Sequence, residues 1–406
     1  MAEYSYRALD ERGQARTGVL EADTEVVAVS RLREQGWTPL KVEAPGPGMK
    51  FKADIRIPGL SDRISLKDVA VSSRQLATMI DAGLPLMRAI SVLAEQTENK
   101  ALSQTWESVR GDVQAGMSFS GALAKHPKAF NTLYVAVIRA GETGGALDQV
   151  LLRLADTLEK QVNLRNKIRS AMTYPIMVAI LVVVILSAIL LFIIPTFKQL
   201  YNDLGGTLPV PTRFLLACSD IFRRFILFII PAMGVGLYLL KKYVNTDKGR
   251  HQFDAFKLKI PIFGELFRKV AMSRMSRTLG TLMRSGVPVL QSLQITKETT
   301  GNRIVSDAVE DVENSVRQGE SLAKPLGRHK VIPPMVTQML AVGEETGAVD
   351  TMLEKVADFY DSEVDATVDA LTSLIEPLLI VFLGAVVGGI LISLYLPMFK
   401  IVDLIQ

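Results

Sequence analysis

What most constrains this chain is that a stretch of about 125 residues occurs in it twice. The first copy runs from about Ser72 to Phe197 and the second from about Met275 to Phe399. Ser73-Arg74-Gln75-Leu76 and Ala82-Gly83-Leu84-Pro85 return as Ser276-Arg277-Thr278-Leu279 and Ser285-Gly286-Val287-Pro288, 203 residues on. Gly116 with Gly319 and Ser118 with Ser321 keep that spacing. One deleted residue then shortens it to 202, which joins Gly141-Glu142 to Gly343-Glu344, Asp148 to Asp350, and Ala155-Asp156 to Ala357-Asp358. Both copies end in apolar runs bounded by prolines, Pro175 to Pro195 and Pro377 to Pro397. Whatever one copy folds into, the chain holds two of it.

Composition narrows the class. Of 406 residues, 49% are hydrophobic, which leans away from a purely soluble protein. A net charge of +4 is small for this length and argues against a nucleic-acid binder, which would need a dense basic stripe. The single cysteine, Cys218, excludes an intrachain disulfide and a cysteine metal cluster. The opening Met1-Ala2-Glu3-Tyr4 leads into no apolar h-region, so no cleaved secretory signal is expected.

Residues 1–44 read as a small ββαβ unit. Tyr4 to Asp10 alternates as a strand, Glu11-Arg12-Gly13-Gln14 turns, and Arg16 to Ala22 is a second strand. Thr24 caps a helix to Gln35 with Val26, Val29 and Leu32 on one face, Gly36 closes it, and Thr38 to Glu43 is a third strand. Pro45-Gly46-Pro47-Gly48 and Pro58-Gly59 mark a linker over residues 45–64.

Each repeat reads as a six-helix bundle followed by a membrane span. Ser65 with Asp68 makes a capping-box start, Gly83 stops that helix, and Pro85 opens the next. Further helices are expected at about Lys100 to Ala115, Ser118 to His126 and Asn131 to Ala140, with a long stem from near Ala146. Gly83/Gly286, Gly116/Gly319 and Gly141/Gly343 read as helix stops that need a left-handed residue; Pro288 repeats Pro85, and Gly347 follows the second stop.

Ile176 to Ile194 and Leu378 to Leu396 are each 19 residues without an ionisable group. At about 1.5 Å per residue each covers roughly 28 Å, close to the hydrocarbon thickness. Phe225 to Leu240 is shorter and carries Pro231, but Arg223, Arg224, Lys241 and Lys242 flank it. Parity supports it: two homologous bundles in one compartment require the chain to return. Lys160, Arg165, Lys167 and Arg169 before the first span and Lys241, Lys242, Lys248 and Arg250 after the second place the bundles in the cytoplasm. Lys400 beyond the third span opposes that rule, and parity overrides it. The expected architecture is a mainly α, polytopic membrane protein with cytoplasmic bundles at 65–173 and 241–376. Its spans fall at 174–195, 225–240 and 377–397, with segments 196–224 and 398–406 outside.

Little in the chain carries chemistry. Gly141-Glu142-Thr143-Gly144-Gly145 lacks the lysine and hydroxyl of a phosphate loop, so neither ATP binding nor hydrolysis is expected of it. His126 and His329 occupy equivalent helix ends and read as a bundle feature. Glu142, Asp148, Glu344, Glu345 and Asp350 could gather a hard cation, though helix caps explain them more economically. No catalytic residue and no cofactor is expected. Spans without buried charge make a poor solute pathway, and the repeat spans run in the same direction. That leaves a membrane-anchored scaffold, with a small transporter or channel subunit as the alternative. On the stems, Arg165, Lys167 and Arg169 face a possible counterpart in Asp361, Asp365 and Asp369, which fall at spacing four. Pairing of these two faces, within one protomer or between neighbours, is the sharper expectation.

The motifs in this order resemble the type II secretion F / type IV pilus assembly C family of inner-membrane platform proteins. The resemblance rests on Tyr4-Ser5-Tyr6-Arg7-Ala8-Leu9-Asp10, Leu32-Arg33-Glu34-Gln35-Gly36 and Arg74-Gln75-Leu76-Ala77-Thr78-Met79 with Gly83. It also rests on Ala140-Gly141-Glu142-Thr143-Gly144, Val342-Gly343-Glu344-Glu345-Thr346-Gly347, Glu376-Pro377 and Tyr395-Leu396-Pro397-Met398-Phe399. It implies a non-enzymatic, multi-pass protein of the bacterial inner membrane that forms dimers or higher oligomers. A hexameric assembly ATPase, pilins or pseudopilins, and other inner-membrane assembly proteins would be its partners. The closing Leu394-Tyr395-Leu396-Pro397-Met398-Phe399 leans toward the pilus branch. Arg74, Glu142, Asp148, Arg277, Glu344, Asp350 and Glu376 are the expected partner or dimer contacts.

Overall fold

The computed structural model describes residues 2–9, 15–22, 25–34, 36–43, 63–196, 210–261 and 263–405, in two units, Met1–Arg63 and Ile64–Gln406. In the first unit β1 (Ala2–Leu9) lies between β2 (Ala15–Ala22) and β3 (Thr38–Glu43), antiparallel to both. Tyr6 sits opposite Gly18 on one side and Val42 on the other. The β1–β3 register slips between Arg7 and Ala8, where Ala8 faces Pro39, a residue with no N–H to give the ladder. The helix α1 (Glu25–Glu34) buries Ala28 and Leu32, while Val26 is 77% exposed. The expected apolar face was therefore off by part of a turn: Ala28 and Leu32 are four apart and stack, whereas Val26 points about 120° away from Leu32. Gly36, at φ 76°, closes the helix, and Trp37 N–H donates to Leu32 O at 3.0 Å. The turn at 11–14, the cap Thr24 and nearly all of the 45–64 linker lie outside the described residues.

The second unit opens with α2 (Leu66–Asp81), α3 (Leu86–Gln96), α4 (Lys100–Gln114), α5 (Phe119–Ala124) and α6 (Thr132–Gly144). The first stem, α7 (Leu147–Ala188), continues through a π-helical turn at Ile189–Ile193. Next come α8 (Val210–Val244) and α9 (Asp247–Lys259). The second repeat follows as α10 (Phe263–Arg284), α11 (Val289–Thr299), α12 (Arg303–Arg317), α13 (Ala323–Leu326) and α14 (Pro334–Thr346). The second stem is α15 (Val349–Ile405), 57 residues or about 86 Å long.

Local chemistry explains the boundaries. Asp68 N–H donates to Ser65 Oγ at 3.2 Å and Ser65 N–H returns a bond to Asp68 Oδ2 at 3.0 Å, a complete capping box. Gly83 and Gly286 take φ of 83° and 82°, and Leu84 and Val287 N–H then reach back to Met79 and Leu282 O. Pro85 and Pro288 cap the helices that follow.

The first core centres on Trp106, Phe130 and Tyr134, whose rings meet edge-to-face and tilted at 5.0 and 4.8 Å between centroids, against Leu151, Leu154 and Leu158 of the stem. Leu282, Val287 and Ile295 of the second repeat join it, so the bundles share an apolar wall. The second core gathers Met272, Met275, Leu279, Val309, Leu340 and Val356.

Beyond the bundles the stems lie side by side, with Leu164 packed among Val364, Val368, Leu371 and Leu266. Lys160 meets Asp358 and Lys167 meets Asp365, both 198 residues apart, so the stems are parallel. Pro175, Pro377 and Pro397, expected at span borders, lie inside continuous helix; each withdraws a single N–H and breaks nothing. Two of the described helices are long and apolar enough to cross a membrane: the first stem through Thr196, and the second stem through Ser393. Their most apolar windows have mean hydropathy of 3.4 and 2.5 and are almost unburied. Between them α8 runs antiparallel. Its Thr212 Oγ–H donates to Ser393 O at 2.6 Å and its Ser219 Oγ–H to Leu190 O, both near the far ends of the stems. Its other end leads to α9, where Asp254 Oδ2 accepts from Arg303 N–H at 2.9 Å in the second bundle.

Candidate interaction site: the glycine-glutamate turns and the paired stems

Gly141-Glu142 and Gly343-Glu344 lie in the last turns of α6 and α14, not in loops. The left-handed residues are Gly145 (φ 68°) and Gly347 (φ 70°), so Gly141 and Gly343 are not the helix stops expected of them. Their requirement is steric. A Cβ on Gly141 would fall 2.9 Å from Val150 Cβ, and one on Gly343 2.9 Å from Val349 Cα. Their carbonyls also collect the closing bonds, from Ala146 N–H at 3.0 Å and Ala348 N–H at 2.8 Å. The stem can thus fold straight back over the helix before it. Aligned this way, both repeats carry Gly-Glu-x-x-Gly, with Gly144 matching Thr346.

Each glutamate caps a neighbouring short helix. Glu142 Oε1 accepts from Phe119 N–H at 2.7 Å, and Oε2 accepts from Ser120 N–H at 3.1 Å and Ser120 Oγ–H at 2.6 Å. Glu344 accepts in the same way from Leu322 N–H and, at 3.2 Å, from Ala323 N–H. A six-residue helix such as α5 leaves most of its N–H groups without internal acceptors, so an incoming carboxylate matters more there than on a long helix. Desolvation pushes the Glu142 carboxyl up, but the Ser120 and Phe119 bonds and the nearby Arg139 charge outweigh it, and the net shift is down. These bonds already occupy the oxygens that a cation would need. Asp148 and Asp350 sit half-exposed in the first turns of the stems, where the helix dipole favours them. Glu345 is exposed, and among the described residues no cluster of three or more metal-ligating side chains occurs.

Arg74 and Arg277, equivalent in the two repeats, tie α2 and α10 to their stems. Arg74 donates to Glu159 Oε1 and Oε2 at 2.7 and 2.8 Å and also meets Asp156. The Arg74 bond, with its charge, holds Glu159 below the usual carboxylate range despite some desolvation. Arg277 is 7% exposed and binds Asp358 at 2.9 Å as well as Asp361. Asp358 also accepts from Lys160 Nζ of the other repeat at 2.8 Å. Desolvation would raise its pKa, but the Lys160 and Arg277 bonds and charges bring it down. This network walls a cavity of about 460 Å³ between the repeats, to which Arg153, Thr157, Thr281 and Glu354 also contribute.

The six stem charges divide. Lys167 meets Asp365 across the stems, Asp361 is taken by Arg277 and Ser273 of its own repeat, and Asp369 points to solvent. Arg165 and Arg169 pair with none of the three aspartates. Contacts between parallel helices recur every seven residues, so 160/167 and 358/365 stay on the seam while a spacing of four drifts about 40° per step. The signal available in the sequence was that shared heptad. Glu376 is exposed and 26 residues beyond Asp350, about 39 Å along the helix, so it belongs to no common site with the turns. His329 Nε2 lies 3.1 Å from Asp311 Oδ2, whereas His126 Nε2 is buried without a hydrogen-bond partner among the described residues.

Comparison with known proteins agrees with the duplication. The family model described as type II secretion system (T2SS), protein F matches twice, at residues 72–195 and 275–397. The model for the N-terminal domain of the same protein matches residues 1–43. The chain is 47% identical to a Type IV pilus assembly protein PilC of Thermus thermophilus, over 99% of this chain and 98% of that one. It is 42% identical to the PilC of Myxococcus xanthus, over 100% and 96%. It is 34% identical to a Type II secretion system protein F of Pseudomonas aeruginosa over the full length of both. The glycine-glutamate turns and parallel stems are thus the two copies of one family repeat, and the chain belongs to the type II secretion system protein F family.

Proposed function

We propose that the chain is a non-enzymatic inner-membrane platform protein of a type IV pilus assembly machine, or of the related type II secretion apparatus. The greater identity to proteins named for pilus assembly favours the first. The platform couples a hexameric cytoplasmic ATPase to the entry of pilins or pseudopilins into a filament, beside other inner-membrane assembly proteins. It works as a homodimer or higher oligomer.

The observation that carries this reading is the parallel pairing of the stems through Lys160–Asp358 and Lys167–Asp365. Parallel stems that continue into apolar helices present both bundles on one face of a bilayer, as one body able to receive a push from a soluble motor. The same geometry requires a return crossing, and the antiparallel α8 supplies it, with exposed Phe228, Met233, Val235 and Leu237. The N-terminus and both bundles (65–173 and 241–376) are then cytoplasmic, and the stem spans fall near 174–195 and 377–397. Because Thr212 and Ser219 bond to Ser393 and Leu190 inside those spans, the return span in α8 starts near Thr212 and not at the expected 225, and the outside segments are 196–211 and 398–406.

Two experiments test this. In a Cys218→Ser background, Asn202→Cys should react with an impermeant maleimide in intact cells and Thr246→Cys only after permeabilisation. Outside labelling of Thr246→Cys would refute the topology. The purified chain should co-elute with its assembly ATPase and hydrolyse no ATP alone. Solute flux through liposomes holding the chain by itself would instead favour a transporter.

A further inference from the structure

The cations facing the junction of the two repeats are mostly neutralised. Arg74, Lys160, Lys167, Arg277 and Arg284 each hold a carboxylate at ion-pair distance. Arg165 on the first stem and Arg274 on α10 do not, among the described residues. The two line one cavity of about 590 Å³ where the stem, α10, the end of α11 and the start of α6 converge, with Thr132, Gln161, Thr278 and Glu298 in its walls. The Arg274 guanidinium presses against Gly301, where a Cβ would sit 3.0 Å from Nη1. Crowding by protein, and then the Arg165 charge, pulls the Arg274 pKa down from its ordinary value. Although both residues remain exposed overall, the two like charges line one cleft and repel each other, with no counter-charge in contact among the described residues. Glu298, the one acid in the wall among the described residues, reaches neither of them at ion-pair distance.

The duplication supplies an internal control. Position 71, the counterpart of Arg274, is valine, and position 367, the counterpart of Arg165, is threonine. There Lys269 reaches Thr367 Oγ1 at 2.9 Å and is neutralised by Glu363 and Glu265 at 2.9 and 3.1 Å. One side of the junction satisfies its own charge and the other leaves two planar cations open to a cleft. Planar guanidinium groups match phosphate oxygens bidentately, and a multiply charged anion between two of them turns repulsion into attraction. The opposite wall is the first turn of α6, whose Thr132 and Leu133 N–H groups have no acceptor inside their helix. Arg165 lies ten residues before Pro175, about 15 Å along the stem from the apolar run, which favours an anion from solution over a lipid headgroup.

We propose that this cleft binds a multiply charged phosphate-class oxyanion from the aqueous phase, clamped between Arg165 and Arg274. This inference stands on the cleft alone and does not depend on the platform reading.

The test uses the full chain in detergent, titrated with inorganic pyrophosphate at constant ionic strength against sodium chloride, with thermal unfolding as readout. A saturable rise in Tm of several degrees is expected. Arg165→Gln and Arg274→Gln should each raise the half-saturating concentration about tenfold, as the loss of a bidentate charged contact implies, while Arg169→Gln leaves it unchanged. Without pyrophosphate, Arg165→Gln should keep or raise the Tm, because it relieves repulsion; a fall of several degrees would mark the arginine as structural and overturn the proposal. So would a pyrophosphate effect no larger than that of chloride, or one equal in the glutamine variants. Nanodiscs of phosphatidylcholine with and without phosphatidylglycerol separate the sources. A pyrophosphate response that disappears when phosphatidylglycerol is present would assign the cleft to a lipid headgroup and overturn the aqueous source.

Discussion

Gly141 and Val150 are in such close contact that a single methyl group cannot be placed between them: a Cβ on Gly141 would meet Val150 Cβ at 2.9 Å. Because Val150 lies in the first full turn of the stem, that contact sets how the stem leaves the bundle. Gly141→Ala is expected to destabilise the chain by about 1–3 kcal/mol through overpacking. Gly145→Ala, in open space but at φ 68°, should cost about 1 kcal/mol from backbone strain alone. Thermal unfolding of the detergent-purified variants checks the order; equal losses would mean that the stem yields to the added methyl.

The Glu142 cap carries a pH signature. Its folded pKa lies below the ordinary value of 4.5, so its stabilisation is fully present above that value and is lost as the pH falls through the folded one. Glu142→Gln keeps one acceptor and loses the charge. The Tm gap between wild type and this variant should be constant above about pH 5 and close in more acidic buffer. A gap that is independent of pH would mean that the charge contributes nothing to the cap.

Arg277 should matter more than its counterpart Arg74. The first is 7% exposed and ties together Asp358 and Asp361; the second has a side chain 33% exposed. Arg277→Ala is expected to cost about 1–2 kcal/mol, since the stranded carboxylates remain partly hydrated, and Arg74→Ala less than about 1 kcal/mol. Denaturant or thermal unfolding in one detergent compares them directly.

Charge exchange tests the stem seam. Lys167→Glu should be mild, by about 0.2–1 kcal/mol, because the pair is exposed. Adding Asp365→Lys should restore part of the loss, and the rescue should weaken at high salt. Asp369→Lys should have little effect, and an oxidised Leu164→Cys/Val364→Cys pair should cross-link within one chain. A cross-linked dimer with no intrachain product would place the seam between protomers.

Much of the organisation was legible without coordinates. The duplication, the capping box of Ser65 and Asp68, and the left-handed Gly83 and Gly286 are local features, encoded within a few residues of where they act. Family membership follows from the order of such features along the chain. Where an inference needed the angular position of a residue relative to a partner helix, the chain alone misled: Val26 was set inward in place of Ala28, and Gly141 was read as the stop that Gly145 makes.

Tertiary structure decided which equivalent residues have equivalent jobs. Ser73 Oγ–H reaches the buried Tyr134 hydroxyl at 3.1 Å, and burial pushes that phenol up to about 12. Its counterpart Ser276 is buried with no partner for its hydroxyl among the described residues, because the second repeat has Val336 where the first has Tyr134. The stem seam repeats every seven residues, so it selects Asp358 and Asp365 over the stripe at spacing four. Patterns of helix, cap and apolar run depend on neighbours in the chain and can be read from it. The pairing of charges across two helices 198 residues apart depends on their relative rotation, which only the packing of Leu164 against Val364, Val368 and Leu266 establishes.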